Sequence, residues 1–325
     1  MLNSEQKLNT SLFSANVEQV PIRSGFGEGL LQAGKDDEHI VALCADLKES
    51  TKMDAFAKEF PSRFVEIGVA EQNLVTVASG MAAMGKIPFC SSYAMFSPGR
   101  NWEQIRTTIA YNNTNVKVVG SHTGVSVGPD GGTHQALEDI ALMRVLPRMT
   151  VVVPCDAIEA KKATLALAQH VGPAYIRLAR EKTPIITADD TPFEIGKANL
   201  LWDTPRPKVA LIGCGSLVYN ALLAAKQLQQ EGIETLVLNL HTIKPLDAEA
   251  VLNVAKRAGR VVTVEEHQVA GGMGSAVAEF LAENYPVPVR FIGVHDQFGQ
   301  SGTPEELIEQ YGMGVKDIVQ AAKTL

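Results

Sequence analysis

The sequence contains few cysteines, and their spacing excludes two kinds of site. Its 325 residues include only four cysteines, Cys44, Cys90, Cys155 and Cys214. None of them belongs to a Cys-x-x-Cys pair, and the gaps between them are long. We therefore expect neither a zinc site nor a disulfide framework.

The chain also lacks an excess of positive charge and a long apolar segment. Its 29 lysines and arginines face 36 aspartates and glutamates, for a formal net charge of −7. This balance argues against a nucleic-acid partner, although it allows local basic pockets for phosphorylated small molecules. The longest uncharged run, residues 209–225, is interrupted by glycine, serine and asparagine, which argues against a membrane span. The opening residues, MLNSEQKLNTSLF, have no apolar run behind a basic start. We therefore expect a cytoplasmic enzyme.

Short strand-like runs alternate with helical patterns along most of the chain. The predicted strands are IVALCAD, VKVVG, TVVVP, AYIRL, KVALIG, ETLVLN, RVVTVEE and VRFIG. The predicted helices cover residues 71–84, 156–170, 217–230, 247–258, 274–284 and 304–311. This alternation predicts an α/β protein whose mostly parallel sheets carry helices on both faces.

The length and one proline-rich segment together predict two domains. At about 150 residues per domain, a chain of this size corresponds to about two domains. Residues 184–206 contain several prolines and lack a sustained period, which is typical of a linker. The predicted order is an arm over residues 1–19, a first domain over 20–183, the linker, and a smaller second domain over 207–325.

The segment HTGVSVGPDGGTH contains the first candidate site residues. It follows the predicted strand VKVVG, so it lies at a strand's carboxyl end, where α/β sheets place their ligands. Its His122, His134 and Asp130 are candidates for proton transfer or for hydrogen bonding to an oxyanion. We expect a helix from about Thr133 whose N-terminus could face an anion. The histidine spacing suits no usual zinc motif, and a capped surface loop is the alternative interpretation.

A second group of candidates lies in FVEIGVAEQNLVTVASGMAAMGKIPFCSSYAMF. Glu71 opens a predicted helix of small apolar residues, where it could simply favour the helix dipole. Tyr93 and Phe96 follow a strand-like run and could form a stacking wall, or they could be ordinary core residues.

Four segments together resemble the C-terminal half of transketolase: GVAEQN, SSYAMF, HTGVSVGPDGGTHQALEDIALMR and VVTVEEHQVAGGMGSAVAEF. They are also similar to 1-deoxyxylulose-5-phosphate synthase and to the β subunits of 2-oxo acid dehydrogenases, which likewise use thiamine diphosphate. The resemblance extends from about residue 20 to the end of the chain. It implies a pyrimidine-binding domain over 20–183 and a transketolase C-terminal domain over 207–325.

The resemblance assigns the cofactor's aminopyrimidine to three residues of this chain. Glu71 matches the glutamate that hydrogen-bonds the ring nitrogen and thereby favours the imino tautomer. Tyr93 and Phe96 match the aromatic residues against which the ring packs. Many transketolases have another aromatic residue three positions later, and here Gly99 occupies that position.

The resemblance also implies a site for a sugar phosphate. Arg23, Ser50, His122 and Arg180 match the residues that hold the terminal phosphate in transketolases. Arginine suits this role because its planar guanidinium pairs with two phosphate oxygens. The two remaining assignments come from the glycine-rich segment. Asp130 matches an aspartate that contacts a substrate hydroxyl, and His134 matches a histidine that contacts the donor and assists proton movement.

Transketolases bind the cofactor's diphosphate through a metal, with a Gly-Asp-Gly motif that this sequence lacks. The resemblance therefore implies a partner subunit that carries this motif and most of the ligands for Mg²⁺ or Ca²⁺, and no metal site in this chain. The implied assembly is a heterotetramer with two copies of each chain, and the isolated chain is expected to be inactive.

We predict a two-component transketolase that transfers a two-carbon ketol unit from a phosphorylated ketose to an aldose. The sequence leaves three alternatives open: a 2-oxo acid dehydrogenase β subunit, a 1-deoxyxylulose-5-phosphate synthase-like enzyme, and a noncatalytic assembly subunit. A dehydrogenase subunit does not need residues that bind a phosphate, so Arg23, Ser50, His122 and Arg180 distinguish it from a transketolase. Glu71, Asp130 and His134 argue against a noncatalytic subunit.

Overall fold

Fourteen strands form the sheets of this protein in a computed structural model that describes residues 1–325. The strands are β1 Gln19–Pro21, β2 Ile40–Cys44, β3 Phe64–Glu66, β4 Ile87–Tyr93, β5 Lys117–Ser121, β6 Thr150–Val152, β7 Ala174–Leu178, β8 Lys182–Pro184, β9 Asn199–Trp202, β10 Val209–Gly213, β11 Thr235–Asn239, β12 Thr242–Lys244, β13 Val261–Gln268 and β14 Val289–Val294.

Eleven α-helices connect and cover these strands. They are α1 Ile22–Asp36, α2 Asp54–Glu59, α3 Glu71–Ala83, α4 Trp102–Gln104, α5 Asp139–Arg144, α6 Ala157–Gln169, α7 Val218–Gln230, α8 Ala248–Ala258, α9 Met273–Asn284, α10 Pro304–Gln310 and α11 Val315–Thr324. Helix α4 continues as a π-helical segment, Ile105–Tyr111. None of the helices combines the length and the apolar character of a membrane-spanning segment.

The first sheet has seven strands in the order β12-β6-β7-β5-β4-β2-β3. All neighbours pair in parallel except β12, which pairs antiparallel with β6 at one edge. The central strands β2, β5 and β7 are buried along their whole length, as expected for a parallel sheet covered on both faces. Their carboxyl ends therefore lie side by side at one edge of the sheet.

The second sheet has five strands in the order β14-β13-β10-β11-β9. Strands β10, β11, β13 and β14 pair in parallel, and β9 pairs antiparallel with β11 at the edge. Strand β9 lies inside the segment 184–206 that the sequence predicts to be a linker. Only part of that segment is therefore a connection between sheets, and the exact domain limits stay a prediction.

The two α/β units are connected by more than the linker, because one strand and several side chains extend from one unit to the other. Strand β12 follows β11 in the chain but joins the first sheet through β6. A buried hydrogen bond crosses the same boundary: Arg177 on β7, which forms an ion pair with Asp139 inside the first unit, also donates from Nη2 to the carbonyl of Glu266 on β13 at 2.9 Å. The predicted N-terminal arm packs on the second unit, since Leu12 belongs to that unit's core.

Most of the predicted elements are confirmed, and the fold class is that of two α/β units. Asp156 caps α6 as predicted, since its carboxylate accepts a hydrogen bond from the Glu159 backbone at 2.8 Å. The predicted helix from Thr133 is wrong: α5 begins only at Asp139. Gly128 and Gly131 adopt positive φ in the preceding segment, which interrupts helical geometry.

Candidate functional site

The candidate residues lie at the carboxyl edge of the first sheet. Tyr93 ends β4, His122 follows β5, Ser50 lies in the loop after β2, and Arg180 follows β7. These four strands are neighbours in the order β7-β5-β4-β2. Residues far apart in the chain therefore come together where parallel sheets bind ligands.

Glu71 lies in the first turn of α3, with a carboxylate that is almost fully buried. Its Oε1 accepts a hydrogen bond from the Ser92 hydroxyl at 3.0 Å, and its Oε2 accepts one from Arg100 Nη1 at 2.6 Å. The Asn101 side chain donates to the Glu71 backbone carbonyl at 2.9 Å. The position of this carboxylate is thus fixed by one hydroxyl, one guanidinium and the start of a helix.

Tyr93 stands between two parts of the site. On one side its ring stacks on Phe96, with ring centroids 6.3 Å apart and planes 21° apart. On the other side it stacks on the His122 imidazole at 3.8 Å. His134 meets the rings of Tyr93 and Phe96 edge-on at 6.3 and 5.4 Å. Tyr93, Phe96 and His134 thus form an aromatic wall, and Tyr93 connects it to His122.

The His122 imidazole is held in its neutral form. Arg23 Nη1 lies 3.0 Å from its Nε2, and the Ser121 hydroxyl lies 2.9 Å from its Nδ1. Because a guanidinium can only donate, Nε2 is the acceptor and Nδ1 carries the proton. Burial, with the positive charges of Arg23 and Arg180 adding to it, lowers the pKa of His122 to about 3. Its backbone has a φ of 58°, which is uncommon for a non-glycine residue.

Arg23 and Arg180 place two guanidinium groups near each other. Burial, and after it the positive charge of Arg180, lowers the pKa of Arg23. Arg23 Nη1 donates to the Ser50 carbonyl at 2.7 Å, while its buried Nε has no hydrogen-bond partner. Arg180 Nη1 donates to the Val127 carbonyl at 2.8 Å and pairs with Glu181 at 3.0 Å. An anion between the two arginines would satisfy the free Nε donor and reduce their mutual repulsion.

Asp130 is less firmly placed than the other candidates. Its side chain is exposed and makes no hydrogen bond in the structure. It ends the 3₁₀ segment Val125–Asp130, in the loop that leads to His134. Because no helix begins near Thr133, the expected helix N-terminus for an anion is absent from this loop. No group of three or more histidine, cysteine, aspartate or glutamate side chains is arranged to hold a metal ion.

Sequence reasoning missed the residues that hold Glu71. Ser92 is buried on β4, one residue before Tyr93, and Arg100 and Asn101 lie directly after Gly99. The motif SSYAMF contains Ser92, but nothing in the sequence shows that its hydroxyl reaches α3. The carboxylate also forms an ion pair with Arg100, which the small apolar residues of its helix do not indicate.

Comparison with known proteins agrees with this geometry. The family model for the transketolase pyrimidine-binding domain matches residues 18–185, and the model for the transketolase C-terminal domain matches residues 196–318. The chain is 43% identical to the 6-deoxy-6-sulfo-D-fructose transketolase subunit SqwH of Clostridium sp. (strain MSTE9), covering 95% of this chain and 96% of that protein. It is 40% identical to one subunit of the apulose-4-phosphate transketolase of Phocaeicola vulgatus, covering 93% of this chain and 96% of that subunit.

A solved structure is also similar over nearly its full length. A split-gene transketolase, described as an inactive beta4 tetramer, superposes with a TM-score of 0.87 at 44% identity, covering 94% of this chain and 98% of that one. The chain therefore belongs to the transketolase family of thiamine-diphosphate enzymes. Within that family it corresponds to the pyrimidine-binding and C-terminal domains of a two-component transketolase, which confirms the predicted class over its alternatives.

Proposed function

We propose that this chain supplies the aminopyrimidine side of the thiamine diphosphate site and the site for the sugar's anionic group. The reaction is transfer of a two-carbon ketol unit from a phosphorylated ketose to an aldose. The observation that carries this proposal is the convergence of Glu71, Tyr93, His122, Arg23 and Arg180 at one sheet edge.

The residues present fit the cofactor's pyrimidine ring. A buried carboxylate beside an aromatic wall suits a flat heterocycle with a hydrogen-bonding nitrogen. When bound, thiamine diphosphate supplies the nucleophilic carbon and the electron sink of the reaction. Glu71 holds a proton at the ring nitrogen, while Tyr93 and Phe96 orient the ring. His134, at the edge of that wall, moves protons at the substrate's hydroxyl groups.

The anionic end of the sugar lies at the Arg23–His122–Arg180 group. Arg23 contributes its free Nε, and Arg180 contributes a second positive charge. Ser50 lies beside Arg23, and neutral His122 orients the guanidinium of Arg23 through its Nε2. Asp130 contacts a substrate hydroxyl from the exposed loop. We propose phosphate as the anionic group, in both the ketose and the aldose.

The remaining parts of the active site come from a partner subunit. That subunit carries the Gly-Asp-Gly motif and binds Mg²⁺ or Ca²⁺ together with the cofactor's diphosphate, and two copies of each chain form a heterotetramer. The description of the similar tetramer as inactive supports a need for a second kind of subunit. Val69 and Met84, which flank α3, are 73% and 83% exposed, as expected for an apolar surface that a partner covers. A cytoplasmic location also stays a prediction.

Substitution of the two arginines tests the substrate class. In the assembled enzyme, we expect Arg23→Ala and Arg180→Ala each to raise the KM for phosphorylated substrates by about tenfold or more. A charge-assisted contact contributes about 1.5–3 kcal/mol, which is lost with the guanidinium. Steady-state kinetics with phosphorylated donors measure this effect, and hydroxypyruvate, an unphosphorylated donor, should respond much less.

The control for these variants is Arg206→Ala, which removes an arginine that is 86% exposed and lies between β9 and β10 of the second sheet. A parallel assay with sulfonated sugars separates phosphate from sulfonate, since one relative is named for a sulfo-sugar. If both arginine variants handle phosphorylated sugars like the parent enzyme, the anion binds elsewhere or the substrate carries none.

A further inference from the structure

The Glu71 carboxylate is buried and already hydrogen-bonded in this structure. The Glu71 side chain is only 1% exposed, and each of its oxygens already accepts a hydrogen bond. Of the two donors, Ser92 is fully buried on β4. The Arg100 side chain is 49% exposed. Arg100 is therefore the partially exposed donor that a new hydrogen-bonding partner from solvent would meet first at Glu71.

The guanidinium of Arg100 makes the same two kinds of contact that we assign to the aminopyrimidine. It is planar, it donates an N–H to Glu71 at 2.6 Å, and its central carbon lies 4.9 Å from the centroid of the Phe96 ring. Guanidinium groups stack well on aromatic faces and pair well with carboxylates. Arg100 thus contacts both Glu71 and Phe96, two of the residues that we assign to the cofactor's ring.

The backbone around Arg100 is held by hydrogen bonds, while its side chain is half-exposed. The Arg100 amide donates to the Phe96 carbonyl at 2.9 Å, and the Asn101 side chain donates to the Ser97 hydroxyl at 3.1 Å as well as to α3. A Cβ atom at Gly99 would lie 1.9 Å from the Met95 carbonyl oxygen, so this turn accepts only glycine there. Instead of an aromatic side chain at residue 99, the turn presents the guanidinium of residue 100.

We propose that Arg100 is a displaceable cap on Glu71: its guanidinium lies on the pyrimidine side of the site and moves toward solvent when thiamine diphosphate binds. This proposal rests on the role of Glu71 in the proposed function. The cap pairs a buried carboxylate that would otherwise lack a countercharge. It also lowers the apparent affinity for the cofactor, because only the uncapped fraction of the protein can bind.

The test measures cofactor affinity in the complex of this chain with its partner subunit. Calorimetric titration with thiamine diphosphate and Mg²⁺ is compared for the parent, Arg100→Ala and Arg106→Ala. Arg106 is an exposed arginine six residues further along, in the π-helical segment, and serves as the control. We expect the Kd of Arg100→Ala to fall about two- to fivefold, the range set by a half-exposed ion pair, and that of Arg106→Ala to stay unchanged.

A second comparison tests whether the effect acts through Glu71. In a Glu71→Gln background the neutral amide no longer forms an ion pair, so Arg100→Ala should change the Kd by less than it does in the parent. Circular dichroism and the assembled mass of each variant establish that it is folded. Arg100→Met retains most of the apolar stem and serves if the alanine variant does not fold.

An unchanged or higher Kd for the folded Arg100 variants would overturn the cap, because Arg100 would then be neutral toward the cofactor or would help to bind it. That result leaves the proposed function intact, since ketol transfer by the parent enzyme does not depend on it. Retention of ketol transfer by Glu71→Gln would instead remove the proposed function, whatever the effect of Arg100 on the Kd.

Discussion

Replacement of Glu71 by glutamine is expected to lower ketol transfer in the assembled enzyme by about two to four orders of magnitude. The glutamine side chain has nearly the same shape, but it cannot take the charge that holds a proton at the pyrimidine nitrogen. A positioned proton-transfer group contributes about 10²- to 10⁴-fold to the rate. Single-turnover kinetics with a saturating donor measure the loss in the chemical step.

The matched control for this prediction is Glu103→Gln, which neutralises an exposed carboxylate on α4 whose only side-chain partner is the neighbouring Gln104. It should leave ketol transfer and assembly unchanged. Both variants are compared for thermal stability, so that a folding defect is not mistaken for a lost chemical step. Turnover of Glu71→Gln close to that of the parent would rule out the assigned role of this carboxylate.

The second large effect concerns stability at the boundary between the two α/β units. Arg177 and Asp139 form a pair in which both side chains are at most 5% exposed, and Tyr175 also donates to Asp139 at 2.7 Å. Burial raises the pKa of Asp139, but the charges of Arg177 and His267 and the hydrogen bonds from Arg177 and Tyr175 together hold the pKa below its usual value. Arg177→Met should therefore reduce the free energy of unfolding by about 3–5 kcal/mol, because it leaves a buried carboxylate without its countercharge.

Urea denaturation followed by circular dichroism measures this loss. Arg206→Met is the control, since the contact of Arg206 with Glu234 at 3.6 Å is at the surface and such pairs contribute about 1 kcal/mol or less. The double variant Arg177→Met with Asp139→Leu should recover part of the stability. A loss for Arg177→Met as small as that of the surface control would show that the buried pair contributes no more to stability than a surface ion pair.

The sequence predicted the site best where local patterns and sheet geometry agree. His122 and Tyr93 follow or end apolar strands, and parallel strands bring their carboxyl ends to one edge. The local patterns therefore indicated that each residue lies at the carboxyl end of a strand, and the family resemblance implied that they share one site. The same holds for α6, where the N-cap at Asp156 and the alanine-rich pattern indicate the same start.

Elements that depend on distant partners could not be predicted. Strand β9 is short and lies among prolines, so its strand structure follows from its pairing with β11 rather than from a local pattern. Strand β12 joins the first sheet although its chain neighbours belong to the second. The ion pair between Arg100 and Glu71 depends on a turn that passes back over α3, and neither residue's local sequence indicates it.

We propose that this chain holds only one side of the cofactor site, and calorimetry of the isolated chain is the decisive test. Thiamine diphosphate with Mg²⁺ is titrated into the purified chain and, separately, into its complex with the partner subunit. The diphosphate carries most of the cofactor's charge and binds through the metal. We predict weak binding to the isolated chain without dependence on magnesium, and tight, magnesium-dependent binding to the complex. Tight, magnesium-dependent binding to the isolated chain would contradict the division of the site between two subunits.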